Sequence, residues 1–251
     1  MPSERRHSLF EIAGVALLLA ALALFLYRDF MREAGEPEAR PAATEEDARR
    51  LAFERAYNQG QWGRNWRGQG TSGAGSTLES TRVYRAFVQD FLATHAIRSV
   101  VDAGCGDWEF SRAIDWTGVD YLGLDIVKSV VDANQRRYGA RNIRFAFADI
   151  VRDELPPADL LLVKDVLQHL SHADIARFLK QLPRYRHVLI VNDVHPATLT
   201  AEPADIATGG YRPIDLTRPP HALQGAKLLM WHHGTNAKLV LHLQPGPATS
   251  K

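Results

Sequence analysis

In Val100-Val101-Asp102-Ala103-Gly104-Cys105-Gly106-Asp107, a short apolar strand runs into a glycine-rich turn. A helical stretch is expected next, over Trp108–Ile114. Such a turn lets the backbone approach a ligand closely, with helix N–H groups and strand ends around it. Outward from this point, short apolar runs alternate with helical stretches. The candidate strands are Ser99–Asp102, Tyr121–Asp125, Ile143–Ala148, Leu160–Val163 and Val188–Val191, and the helices Ser129–Tyr138 and Ala173–Leu182, the latter capped by Ser171. This alternation implies an α/β fold, a doubly wound and mostly parallel sheet with helices on both faces. Lys227–Trp231 and Lys238–Leu243 are β-rich and joined by His232–Ala237, which predicts an antiparallel hairpin at the end. No internal repeat is visible.

Two further acids sit at strand ends. Asp125 closes Tyr121-Leu122-Gly123-Leu124-Asp125, where a carboxylate can accept hydrogen bonds from both hydroxyls of a ribose. Asp149 follows Phe147-Ala148, where it can reach an adenine amino group. With Asp102 they occupy neighbouring carboxyl ends of a parallel sheet, the ligand-binding rim of such folds.

These residues resemble the class I S-adenosylmethionine-dependent methyltransferases. Asp102-Ala103-Gly104-Cys105-Gly106 resembles that family's first motif, Asp125 its acidic second, and Leu161-Leu162-Val163-Lys164-Asp165-Val166-Leu167-Gln168-His169-Leu170 the segment after its fourth strand. The resemblance covers about residues 80 to 243 and implies a Rossmann-like methyltransferase fold with S-adenosylmethionine as cofactor. One departure is Trp108, where many relatives have a third glycine, so the turn is expected to diverge after Gly106. The Trp/Gly-rich segment from Trp62 to Ser76 is similar to an N-terminal extension of some bacterial members. The resemblance places Gly104 and Gly106, with Asp102, around the amino-acid portion of the cofactor. Asp125 and Ile126 then fall at the ribose, Asp149 and Ile150 at the adenine, and Asp165 beside the methyl. Arg82 becomes a partner for the cofactor's carboxylate, which a guanidinium fork suits, if the N-terminal helix folds over the site.

Methyl transfer from a sulfonium asks the protein mainly for alignment, and for a base only where the acceptor carries a proton. Asp165 and His169 are the catalytic candidates, with Asp193 and His195 behind them. Between His195 and Gly225 runs a connection of the length common in lids and binding loops. In it, Tyr211 and Arg212 offer an aromatic face and a cation to the acceptor, unless Arg212 simply pairs with Asp215. The pairs His169/His172 and His232/His233 lack a carboxylate at ligand spacing, so no metal is expected.

The N-terminal part has a different character. Residues 1–8 form a short tail, and residues 9–27 are almost wholly apolar, with no charge from Ile12 to Tyr27. That is close to the length of roughly 17–25 residues a membrane-spanning helix needs. The run is read as an uncleaved single-pass anchor, with a signal peptide and a buried or interfacial helix as the other readings; its exit, Phe25-Leu26-Tyr27-Arg28, lacks a small-residue cleavage pattern. Arg5 and Arg6 before it and Arg28 and Arg32 after it leave the orientation undecided by charge. Residues 28–43, with Pro37 and Pro41, read as a charged linker. Residues 44–97 read as a helical and Gly-rich cap: Thr44-Glu45-Glu46-Asp47 starts one helix, Ser76-Thr77-Leu78-Glu79 resembles a capping box for a second, and Trp62 and Trp66 argue for packing. Residues 98–251 form the cofactor-binding core.

Within 251 residues of average composition there is room for one ordinary catalytic domain or two cramped ones. A net charge of +1 predicts no nucleic-acid partner, and a single cysteine excludes an intramolecular disulfide. The expected function is methyl transfer to a small-molecule or lipid-linked acceptor at a membrane. The catalytic unit would face the cytoplasm, where S-adenosylmethionine is made. The alternative is an inactive cofactor-binding scaffold of the same fold. A nicotinamide oxidoreductase fits poorly, because the turn lacks the third glycine and no Tyr-x-x-x-Lys dyad occurs.

Overall fold

The computed structural model describes residues 44–65, 68–195 and 203–246. Residues Thr44–Lys251 form one compact unit by themselves. The first helix, α1 (Glu45–Gln59), starts with a full capping box between Thr44 and Asp47 and ends on Gly60 in the left-handed region. Helix α2 (Arg82–Thr94) follows a turn at Thr77–Thr81. The expected capping box at Ser76 does not form. Ser76 closes a short 3-10 turn, and the Thr77 hydroxyl accepts from Ser80 N instead, so the helix starts five residues later.

The central sheet has seven strands in the order β3-β2-β1-β4-β5-β7-β6. They are β1 (Ser99–Ala103), β2 (Asp120–Asp125), β3 (Ile143–Phe147), β4 (Ala158–Lys164), β5 (Tyr185–Val194), β6 (Ala226–His233) and β7 (Asn236–Leu243). The first five run parallel, and β7 lies antiparallel between β5 and β6. Helices α3 (Lys128–Tyr138) and α4 (His172–Leu179) complete the layers. Alternate residues of the central strands feed two cores. Leu161, Val163, Val188 and Ile190 meet Ile175 and Phe178 of α4 on one face, while Leu160, Leu162, Leu189 and Val191 join Tyr84, Val88, Phe91 of α2 and Val131 of α3 on the other. The mostly parallel α/β sheet with antiparallel C-terminal strands is therefore as expected.

Three elements differ in detail. Instead of a helix over Trp108–Ile114 there is only a 3-10 turn at Ser111–Ala113. Trp108 adopts φ +57 and is buried against Tyr121, Tyr138 and Phe145, and a bulky left-handed residue cannot start a helix. The departure at this position thus marks the point where the turn diverges. Helix α4 stops at Leu179, before a 3-10 turn that holds Pro183. The hairpin is longer than expected, because Gly234 at φ +60 permits a two-residue turn between His233 and Asn236. Among the described residues no helix is long and apolar enough to cross a membrane. The expected anchor at 9–27 lies outside them, as does Trp66.

Candidate active site

Strand order reverses between β1 and β4, so a crevice opens at the carboxyl ends of these two strands. A cavity of about 280 Å³ lies there. The glycine turn forms its floor, with Gly104 at φ +81 and Gly106 at φ +57. A Cβ on Gly104 would come within 2.4 Å of Val166, so only glycine lets the turn approach β4 so closely. The Gly104 and Cys105 amides both donate to the Leu124 carbonyl, tying the turn to β2.

Two buried acids stand on this floor. Asp125 accepts from Gly106 N at 3.0 Å through one oxygen and from Val127 N at 2.9 Å through the other. Asp102 accepts from the Tyr121 hydroxyl at 2.5 Å. Burial pushes each carboxyl up to about 6, against the hydrogen bonds that favour its ionised form. Each oxygen of Asp125 retains a lone pair, and the residue lines the cavity together with Ile126, Asp149 and Ile150. A paired hydroxyl donor such as a ribose edge matches that acceptor set.

The N-terminal segment closes the other side. Ser72 Oγ accepts from Asp107 N at 2.8 Å, the Ser72 amide donates back to the Asp107 carboxylate at 3.1 Å, and Tyr57 and Ser72 share a hydroxyl bond of 2.8 Å. Trp62 packs against Phe53, Tyr57 and His169, as the retention of a large ring in a Gly-rich loop suggested. From α1, Arg49 donates through Nε and Nη2 to one oxygen of Asp149, at 3.0 and 2.8 Å, and its Nη1 lies 3.5 Å from Asp174. The adenine candidate Asp149 is thus already engaged by a guanidinium, and its second oxygen accepts from Val151 N.

At the far end, Asp165 adopts φ +60. Lys164 lies 2.5 Å from one of its oxygens and Lys238 2.6 Å from the other. Burial alone would raise this carboxyl, but the two ammoniums hold it below its ordinary value. Lys238 also lies 2.9 Å from Asp193, which accepts from the Tyr211 hydroxyl at 3.0 Å. His169 bonds through Nδ1 to the Gly210 carbonyl at 2.8 Å. Burial pushes its imidazole down.

Most of the residues expected from the sequence therefore converge on one cavity: Asp102, Gly104, Gly106, Asp125, Ile126, Asp149, Ile150, Asp165, His169 and Tyr211 all line it. Arg82, Arg212 and His195 do not. Arg82 opens α2 on its exposed side, since Tyr84, Val88 and Phe91 carry the buried face. Arg212 is buried behind the cavity and donates to the Leu170 carbonyl at 2.8 Å, while Asp215 pairs with Lys227 instead. Arg49, Lys164 and Lys238 were not singled out in advance. A faint signal existed for the two lysines, which stand at core-facing positions of otherwise apolar strands.

A family model described as an O-methyltransferase domain matches residues 42–206. No curated protein matches the sequence significantly. Among solved structures, magnesium protoporphyrin IX methyltransferase from Synechocystis PCC 6803 with S-adenosylmethionine bound matches with a TM-score of 0.55 at 16% identity, over 81% of this chain and 98% of its own. The N-terminal domain of EvdMO1, solved with S-adenosylhomocysteine and D-fucose, gives 0.52 at 14% identity, over 78% and 96%. The N-methyltransferase NodS from Bradyrhizobium japonicum WM9 gives 0.50 at 14%, over 65% and 85%. At such identities these three share the fold.

Proposed function

The chain belongs to the O-methyltransferase domain family and is an S-adenosylmethionine-dependent methyltransferase, and on that premise we propose that its acceptor atom is a hydroxyl oxygen of a small-molecule or lipid-linked acceptor. The cofactor supplies a methyl group activated on a sulfonium. Gly104, Gly106 and Asp102 would flank its amino-acid portion, Asp125 and Ile126 its ribose, and Ile150 its base, with Asp149 held in place by Arg49. A hydroxyl needs to lose its proton as the new bond forms, so a neutral base beside it raises the rate.

The observation that carries the assignment of the base is the hydrogen bond from His169 to Gly210. A carbonyl can only accept, so Nδ1 bears the proton and Nε2 keeps its lone pair. Burial lowers the imidazole pKa and so keeps the ring neutral near pH 7. Asp165 suits the role less, because two ammoniums hold it ionised and lower its basicity. In this proposal it positions Lys164 and Lys238. His169→Gln should lower kcat by about 10²–10⁴-fold and leave the dissociation constant for S-adenosylhomocysteine within twofold. An unchanged kcat would remove His169 from the reaction.

Residues 9–27 complete the proposal as a single-pass anchor and residues 28–43 as its linker. The cap, 44–97, and core, 98–251, then work on the cytoplasmic side, on a small-molecule or lipid-linked acceptor. Support comes from the uncharged apolar run and from the cytoplasmic origin of the cofactor.

A further inference from the structure

The far wall of the cavity is unusually polar for a buried surface. Lys164, Asp165 and Lys238 are at most 13% exposed in their side chains, and Asp193 is 7% exposed. One atom there stands out. Asp193 Oδ1 is buried and accepts no hydrogen bond: Lys238 Nζ lies 2.9 Å away in an ion contact without hydrogen-bond geometry, and His233 Nδ1 is at 4.0 Å. Its other oxygen is fixed by Tyr211, whose hydroxyl is in turn held by Asn236 at 2.8 Å. The Lys238 ammonium offsets part of the cost of burying this oxygen, but its hydrogen-bonding capacity is unused, so a donor from a ligand in the cavity would add to its stabilisation.

Opposite in character is the row of rings Trp62, His169 and Tyr211, whose neighbouring centroids are 5.3 and 5.7 Å apart. All three line the same cavity as Asp193. An acceptor that satisfies both walls has an apolar face for the rings and several hydroxyl donors for the charges. A flat phenol would cover the rings but leave the two lysines and two aspartates facing apolar carbon, at a desolvation cost.

We propose that Asp193 selects the acceptor, and that the acceptor is a polyol ring of the carbohydrate type, whose C–H face lies on the aromatic row while a hydroxyl donates to Asp193 Oδ1. The proposal rests on the reading of the chain as a hydroxyl methyltransferase. In the transfer, the acceptor oxygen forms its bond to the methyl carbon, the sulfur–carbon bond breaks with its electron pair to sulfur, and the hydroxyl proton passes to His169. Asp193 takes no proton in this step. It sets which hydroxyl of the ring is presented.

The test uses the full-length chain in detergent, saturated with S-adenosylhomocysteine. Binding of methyl β-D-glucopyranoside, methyl β-D-galactopyranoside and methyl α-D-mannopyranoside is followed by saturation-transfer NMR, with cyclohexanol, phenol and catechol as controls. At least one glycoside should bind, cyclohexanol should not, and D193N should weaken the glycoside at least tenfold with an unchanged S-adenosylhomocysteine affinity. Tyr211→Phe, which frees the carboxylate to turn, should weaken it in the same direction and guards against a folding defect in the first variant. With S-adenosylmethionine in place of its product, the glycoside that binds should also raise release of S-adenosylhomocysteine. If no glycoside binds, if catechol or phenol binds in their place, or if D193N leaves glycoside binding intact, the polyol assignment is overturned and the methyltransferase reading stands. Failure to bind S-adenosylhomocysteine overturns both.

Discussion

Asp125 shows how position converts an ordinary carboxylate into a recognition group. Two backbone amides fix its oxygens, and burial raises its pKa to about 6. Protonation removes the charge and occupies a lone pair that a ribose hydroxyl would use. Affinity for S-adenosylhomocysteine should therefore be flat above about pH 7 and fall as the pH drops through 6, roughly tenfold per unit where this one group controls it. Asp102 is raised to about 6 as well, so the wild-type fall can be steeper than one group allows. In Asp125→Asn the part of the slope due to Asp125 should vanish. Calorimetric titrations between pH 5 and 8 separate the two, and a profile unchanged by the substitution would detach Asp125 from the cofactor. Asp125→Ala at pH 7.5 should cost at least tenfold in affinity, about 1.4 kcal/mol.

Among the elements, α1 and the loop after it do more than their composition suggests. Arg49 reaches from α1 to the end of β3 and is only 7% exposed, while Asp149 is 1% exposed. Removing one partner of such a pair strands a buried charge, which costs about 3–5 kcal/mol. Arg49→Ala should therefore lower the thermal midpoint markedly and weaken cofactor binding, whereas Arg50→Ala, on the solvent side of the same helix, should change stability by under about 1 kcal/mol. Similar midpoints for the two would mean that α1 does not cap the site. At Gly106, a Cβ would meet Ser72 Oγ at 2.3 Å, and φ is +57. Gly106→Ala should open the Ser72–Asp107 clasp and raise the dissociation constant. Faster proteolysis between residues 60 and 76 is the independent sign to look for.

How far these features can be read in advance follows from their separation along the chain. The glycine turn, the acids Asp102 and Asp125 and the hairpin are local patterns, written within a strand and its exit. Trp108 was visible as a departure but not as a buried left-handed residue, because its place depends on Tyr121, Tyr138 and Phe145 in later elements. Arg49 and Asp149 are 100 positions apart, and Asp165 and Lys238 are 73 apart. No periodicity links such pairs. Only the fold brings them together, so nothing in the sequence marked Arg49, while Arg82, in a motif-like setting, looked nearer the site than it is.

On the scale of the whole molecule, Thr44–Lys251 is a compact unit whose two cores lie on either side of one sheet. Deleting residues 1–43 should leave a protein with a single cooperative unfolding transition and an S-adenosylhomocysteine affinity within twofold of the full chain. The full chain should fractionate with membranes and the shortened one with the soluble phase. Equal partitioning of both would refute the proposed anchor without touching the catalytic reading.

The account as a whole stands on one cavity taking one cofactor. Its most direct test is calorimetric titration of the full-length chain in detergent with S-adenosylhomocysteine, with NADH titrated in parallel. One-to-one binding of S-adenosylhomocysteine in the micromolar range, none of NADH, and binding at least tenfold weaker in Asp125→Ala is the result expected. Absence of S-adenosylhomocysteine binding, or binding of NADH in its place, would contradict the assignment at its root.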